Sequence, residues 1–161
     1  MTIFTAVARD MIKIEYPPYQ YKIKNEAGKD FIFDPIRRIW VVLTPEEWVR
    51  QNFLQYLVQS KGYSPSLIAV EKKIRLGELI KRCDIVIYTT GGTPSLIVEC
   101  KEMGTELNEP VLNQILRYNM SIPVPYLVIT NGTYCFAFER TGTGIHALSA
   151  IPALEENNGQ N

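Results

Sequence analysis

The stretch Arg82-Cys83-Asp84-Ile85-Val86-Ile87-Tyr88, then Thr89-Thr90-Gly91-Gly92-Thr93-Pro94, then Ser95-Leu96-Ile97-Val98-Glu99-Cys100-Lys101, decides how this chain folds. Two short runs rich in β-branched residues flank a turn with adjacent glycines, the pattern of a β-hairpin. Pairing centred on Gly91-Gly92 sets Asp84 opposite Glu99, with Cβ atoms about 5 Å apart. Lys101, two residues past Glu99, shares its face because strand side chains alternate. The same register sets Cys83 opposite Cys100 on the other face, among Ile85, Ile87 and Val98. One face of the ribbon is therefore apolar, and the other carries two carboxylates and an amine.

Like charges directly opposite each other destabilise a sheet, so this pairing requires a compensating group. A divalent cation with oxygen ligands is the natural one. Two carboxylates, with a single histidine and no CxxC in the chain, suit magnesium or manganese better than zinc. A neighbouring lysine adds a point charge that can position water or stabilise charge developing on a phosphate. Metal, carboxylates and lysine together match the requirements of phosphodiester hydrolysis. The alternative is a pair of charged strand residues facing water, but the apolar flanks in Leu96-Ile97-Val98-Glu99-Cys100-Lys101 make this a half-buried strand, where a carboxylate needs a partner.

Outward from this ribbon the elements follow in order. Tyr19 to Lys24 and Phe31 to Phe33 flank the turn-rich Asn25 to Lys29 and predict a small hairpin. Ile39 to Leu43 reads as a short strand. Thr44-Pro45-Glu46-Glu47 starts a helix, with Thr44 as N-cap, Pro45 in the first turn and Glu47 closing a capping box. Val49, Phe53, Tyr56 and Leu57 continue it at helical spacing, and Lys61-Gly62 ends it. Leu67 to Ile74 is a strand leading into the ribbon. From about Leu107 to Met120, Val111, Leu112, Ile115 and Leu116 recur with helical period. Tyr126 to Thr130 and Tyr134 to Phe138 then flank the strong hairpin signal Asn131-Gly132. Strands and helices in this order give an α/β (α+β) fold, a mixed central sheet flanked by helices. The expected organisation is one domain: an N-terminal hairpin and extension over 1–38, the core over 39–150 and a polar tail over 151–161.

Composition narrows the function. The chain has 161 residues, 46% hydrophobic and 21% charged, as in a single soluble globular domain. Lys plus Arg is 17 and Asp plus Glu is 17. A neutral chain has no global field drawing it to nucleic acid, so any such partner must be gripped locally. The length leaves no room for an embedded motor, and no GxxxxGK[ST] loop is present. Arg9 and Asp10 come too early for a signal-peptide core. The long run without charges from Tyr118 to Phe138 contains Pro123, Pro125, Asn131 and Gly132, so it reads as loop and hairpin, not as a membrane span. Three cysteines fit reduced thiols in a cytoplasm.

A second chemical signal is Gln114-Ile115-Leu116-Arg117-Tyr118. Gln114 and Tyr118 are four apart and adjoin on one helical face, where an amide and a phenol can bind a phosphate or base edge, brace a metal ligand, or simply pack. Asp84, Glu99-Cys100-Lys101 and Gln114-x-x-x-Tyr118 together resemble the PD-(D/E)XK nuclease superfamily, in its QxxxY branch. The order of Thr44 to Ile74 (TPEEWVRQNFLQYLVQSKGYSPSLIAVEKKI), RCDIVIY, LIVECKE, NQILRYN and YLVITNG looks like the N-terminal nuclease domain of the type I restriction enzyme R subunit. The resemblance implies a restriction-endonuclease-like core and a magnesium-dependent endodeoxyribonuclease, with manganese as a substitute ion. It implies Asp84, Glu99 and the Cys100 carbonyl as metal ligands, Lys101 as the catalytic lysine, and Gln114 and Tyr118 as site organisers or DNA contacts. It also implies motor or specificity subunits of a restriction or defence system as partners. Cys83 stands where the superfamily name has proline, which supplies no ligand.

Glu47 matches the helix-1 glutamate that such sites place near the metal, although its capping role explains it equally. Glu71 is a second carboxylate of the same rank, with an exposed-strand alternative. His146 reads as a surface residue in a glycine-rich loop. Lys72, Lys73, Arg75, Lys81 and Arg82 form the densest basic cluster, as solvated strand ends or as a contact to a phosphate backbone. Two other readings share these residues: a non-catalytic DNA-binding or assembly module of a restriction system, and a stand-alone repair nuclease or junction resolvase.

Overall fold

Hydrophobic strands this short stay folded only when both faces of their sheet are covered, and here two helices cover them. The structure, a computed structural model, describes residues 10–153. Strands β1 (Ile12–Lys13), β5 (Ile68–Leu76), β6 (Leu79–Tyr88), β7 (Pro94–Cys100), β8 (Tyr126–Thr130), β9 (Tyr134–Thr141) and β10 (Gly144–Leu148) form the central sheet. Its order is β1-β9-β8-β7-β6-β5, with β10 also on β9. The β7–β8 pair is parallel and the other pairs are antiparallel, so the sheet is mixed. A parallel pair needs a crossover, and α2 (Glu109–Asn119) lies in it. A separate three-stranded sheet is made of β2 (Ile23–Glu26), β3 (Lys29–Asp34) and β4 (Ile39–Val42). The division at residue 38 falls between β3 and β4 of that sheet. The polar end from Glu155 and the stretch before Asp10 lie outside the described residues.

Helix α1 (Pro45–Gln55) starts as its sequence dictates: the Thr44 hydroxyl accepts from the Glu47 amide at 3.0 Å, with Pro45 in the first turn. The reciprocal arm of the capping box is not made. The Glu47 carboxylate turns instead to Arg37, Arg50 and Gln51. The helix continues as a π-helical turn, Tyr56–Ser60, closed by Lys61 N–H on the Tyr56 carbonyl at 3.1 Å. Val49, Phe53, Leu54 and Leu57 pack onto Ile85, Ile87, Val98, Val128 and Ala137. On the opposite face Leu112, Ile115 and Leu116 of α2 pack onto Ile129, Phe136 and Phe138. Each of the buried Val, Leu, Ile and Phe side chains contributes about 1.5–3 kcal/mol, and the alternation of β8 and β9 between the two faces ties both helices to one sheet.

The β8–β9 turn is fixed at both of its signal residues. Asn131 accepts from the amides of Thr133 (3.0 Å) and Tyr134 (3.2 Å), and its amide donates to the Thr105 carbonyl at 2.9 Å. Gly132 has φ +88°, and a Cβ there would lie 3.0 Å from a Val49 methyl. The turn therefore needs glycine for its backbone and for the close approach of α1. His146 lies in β10, not in a loop, with Nε2 bonded to the Thr141 and Thr143 hydroxyls. Pairing with β9 converts the glycine-rich segment into an edge strand.

Candidate active site

The register of the deciding ribbon matches expectation along its inner half: Ile85 faces Val98, Val86 faces Ile97, and Ile87 faces Leu96. The turn itself is displaced by one residue. Thr89 N–H bonds the Thr93 carbonyl at 2.8 Å, Tyr88 faces Pro94, and a shift at Ile87/Tyr88 restores the register. One step beyond Ile85–Val98 the ladder parts. There the Cys100 amide donates to the Asp84 carboxylate (Oδ2, 2.8 Å) instead of to a backbone carbonyl.

On the other side of β6 the β5 pairing also skips one step, from Val70–Ile85 to Lys72–Cys83. The residue between, Glu71, has φ +54°. A left-handed glutamate costs about 1–2 kcal/mol, so the surrounding structure holds it there. This corner reverses the alternation of β6. Ile85 packs with the α1 cluster, whereas Cys83 packs with Val86, Ile97, Ile122 and Val124. Cys83 and Cys100 consequently lie in different clusters on opposite faces and do not meet, contrary to the expectation from simple alternation. Burial pushes the Cys83 thiol up to about 11 and the fully buried Cys100 thiol well above its ordinary range. Both stay protonated, which makes them poor metal ligands.

Asp84 is held from two elements. Besides the Cys100 amide, the Arg50 guanidinium of α1 donates to Oδ1 at 2.7 Å. Arg50 also reaches Glu71 (2.9 Å), Glu46 (3.3 Å) and Glu47, and its side chain is only 6% exposed. Burial lowers the Arg50 pKa and the Asp84 hydrogen bond and charge raise it, with a net upward direction that keeps the cation charged. Glu46, half exposed, has its pKa raised by burial and then by the Asp84 charge, opposed by Arg50 and Lys101. Those couplings place Glu46 in the same electrostatic neighbourhood as Asp84 and Lys101.

Glu99 is held from α2. The Asn119 amide donates to Glu99 Oε2 at 2.9 Å and also to the Ile115 carbonyl at 2.8 Å. Lys101 Nζ lies 3.6 Å from Glu99 Oε1 and remains 38% exposed, free to meet a ligand. A cleft runs past Arg82, Asp84, Glu99 and Asn119. Gln114 and Tyr118 are exposed on α2. The Lys81 ammonium lies 3.8 Å from the Tyr118 ring centroid, a cation–π contact. Lys81 thus turns inward, separate from the solvated Lys72, Lys73 and Arg75, and burial lowers its pKa against the pull of Cys83 and Glu99.

Of the second-rank carboxylates, Glu47 is buried and bonded to Arg37 (2.8 Å), Gln51 (3.0 Å) and Arg50. Glu71 bonds both Arg50 and Arg82. Arg50, Glu46 and Asn119 escape a motif reading. The apolar face Leu112, Ile115 and Leu116 carries Asn119 at its next position, a polar residue on a buried stripe and a detectable signal.

Among the described residues no group of three or more His, Cys, Asp or Glu side chains is arranged to hold a metal ion. The donors present are two carboxylates on adjacent strands, with the Cys100 main chain between them. Magnesium fits such a set, because it binds through one or two carboxylates and keeps waters and substrate oxygens as its other ligands. No helix among the described residues is long and apolar enough to cross a membrane.

A family model described as type I restriction enzyme R protein N terminus (HSDR_N) matches residues 45–152. The chain belongs to this family. The mixed sheet between two helices agrees with the restriction-endonuclease-like core, and a restriction-nuclease-like role follows from membership. In this R-protein N-terminal domain the match runs from the first residue of α1 past β10, so it takes in Asp84, Glu99, Lys101, Gln114 and Tyr118 and leaves out the β2–β4 sheet. No curated protein matches the chain.

Proposed function

We propose that this domain is a magnesium-dependent endonuclease that hydrolyses phosphodiesters of DNA within a multi-subunit restriction or defence system. The observation that carries the reading is the parting of β6 and β7 at Asp84 and Glu99, with Lys101 exposed beside them. Asp84, Glu99 and the Cys100 carbonyl would hold the ion, which when bound activates water and neutralises the scissile phosphate. The rest of the work belongs to the chain. Arg50 and the Cys100 amide orient Asp84, and Asn119 orients Glu99. Lys101 donates to a phosphate oxygen as charge builds there. Tyr118, with Lys81 behind its ring, offers a stacking or phosphate-contact surface beside the cleft, and Gln114 adds a donor on the same helix.

The chain carries 17 basic and 17 acidic residues, so its grip on DNA is local, and partner subunits supply the remainder. A plasmid-nicking assay in magnesium and in manganese tests the proposal, with Asp84→Ala and Lys101→Ala as controls. Nicking by the wild type that both substitutions abolish supports it. Nicking that survives either one sinks it. Metal-independent duplex binding without cleavage in either ion would assign a DNA-binding module instead.

A further inference from the structure

Arg50 is a buried cation at the site that the proposed chemistry uses only as a brace, and its surroundings go beyond bracing. Its guanidinium reaches four carboxylates: Asp84 at 2.7 Å, Glu71 at 2.9 Å, Glu46 at 3.3 Å, and Glu47. Its Nε is buried without a hydrogen-bond partner. A buried arginine that leaves a donor orphaned is held by charge more than by hydrogen-bond saturation. Glu71 is kept in a left-handed backbone conformation at the same point, so strain too is tolerated to complete the cluster.

Asp84 is already engaged at both oxygens, by Arg50 at Oδ1 and by the Cys100 amide at Oδ2. Each carboxylate oxygen has a second lone pair, so an ion can still bind there. It must do so with a full positive charge within a few ångströms. At the effective dielectric of a partly exposed site, that repulsion reduces the affinity for a dication by about tenfold or more.

We propose that Arg50 is an internal counter-cation that weakens the hold of Asp84 on a free divalent ion. Arg50 is then a positioning residue with a regulatory consequence: it keeps the carboxylate charged and oriented while limiting loading by metal alone. The inference rests on the metal-dependent reading of the site.

Calorimetric titration with manganese alone, in the absence of DNA, separates the two. Arg50→Gln, with a circular dichroism spectrum like that of the wild type, is expected to bind manganese at least about tenfold more tightly. A merely structural arginine would leave that affinity equal or lower it, and either result overturns the inference while leaving the metal reading intact. If neither protein binds manganese, both fall. Arg50→Lys retains the charge and is expected to keep the wild-type affinity within about threefold, which also serves if the glutamine variant does not fold. Affinity about tenfold tighter in Arg50→Lys, where the charge is still present, overturns the inference on its own.

Discussion

Asp34 and Asp84 are both aspartates held by an arginine, and they come to opposite ends. Asp34 is fully buried at the end of β3. It accepts from the amides of Ile36 (2.8 Å) and Arg37 (2.9 Å), from the Arg37 side chain (2.6 Å) and from Gln51 (3.0 Å). Every donor comes from the turn after β3 or from α1, and the carboxylate is closed off from solvent. Asp84 has two donors, lies at a break in the ladder and keeps 16% of its side chain exposed. A saturated buried carboxylate ties elements together, whereas one left partly open beside a second carboxylate and an exposed lysine can still bind something else.

The sharpest way to break the comparison is at the open acid. Asp84→Asn and Lys101→Ala are each expected to lower the rate of plasmid nicking by about 10²–10⁴-fold, with the thermal unfolding midpoint nearly unmoved for Lys101→Ala. A loss of nicking that tracks a loss of folded protein would make Asp84 another Asp34. The closed acid should answer in the other coin. Asp34→Ala strands the Ile36 and Arg37 amides and Arg37 Nε and should cost about 3–5 kcal/mol in urea unfolding, while molecules that remain folded keep their activity. A cost below about 1 kcal/mol would place Asp34 with ordinary surface carboxylates.

The thiols extend the contrast to neutral groups. Burial pushes Cys83 up to about 11 and Cys135 up to about 12, with Cys100 also well above its ordinary range. At pH 8 native Cys83 should react with an iodoacetamide probe roughly a hundredfold more slowly than a free thiol, and Cys135 and Cys100 more slowly still. Cys83 lines the open cleft, so it leads the order. Labelling of Cys100 first would contradict the packing around the site. Glu46 gives the smallest effect. Its raised pKa means that the folded state binds more protons than the unfolded one just above the ordinary glutamate value. Its contribution is therefore complete below that value and lost as pH rises through the folded pKa. Glu46→Gln should remove that slope from a stability–pH profile, by less than about 0.5 kcal/mol for so exposed a side chain.

Much of this was legible in the residues because local chemistry and tertiary demand agree. Thr44-Pro45 starts α1, Asn131-Gly132 makes the β8–β9 turn, and the apolar runs of β6, β7 and β8 become central strands. The pairing of β6 with β7 was readable along its inner half, since apolar side chains fix register wherever both faces are buried. The rest depends on exceptions to alternation. Nothing in the sequence marks Glu71 for a positive φ, because that residue type does not favour one; the ion pairs to Arg50 and Arg82 and the strand pairing on either side hold it. The separation of Cys83 from Cys100 follows from that corner and was hidden with it. Arg50 reads as an ordinary polar helix residue until the fold brings α1 against β5 and β6. Glu47 shows the converse: its amide serves the cap as the motif indicates, while its carboxylate answers to partners distant in sequence.

The corner at Glu71 and Asp84 works as a phase inverter within one continuous strand. Inboard of it, the odd-numbered residues of β6 belong to the α1 side; outboard, Cys83 and Lys81 belong to the α2 side. The outboard end of the β5–β6 hairpin thus packs Cys83 into the cluster beneath α2, while Lys72, Lys73 and Arg75 stay exposed. Asp84, one of the two acids of the site, stands at that inversion.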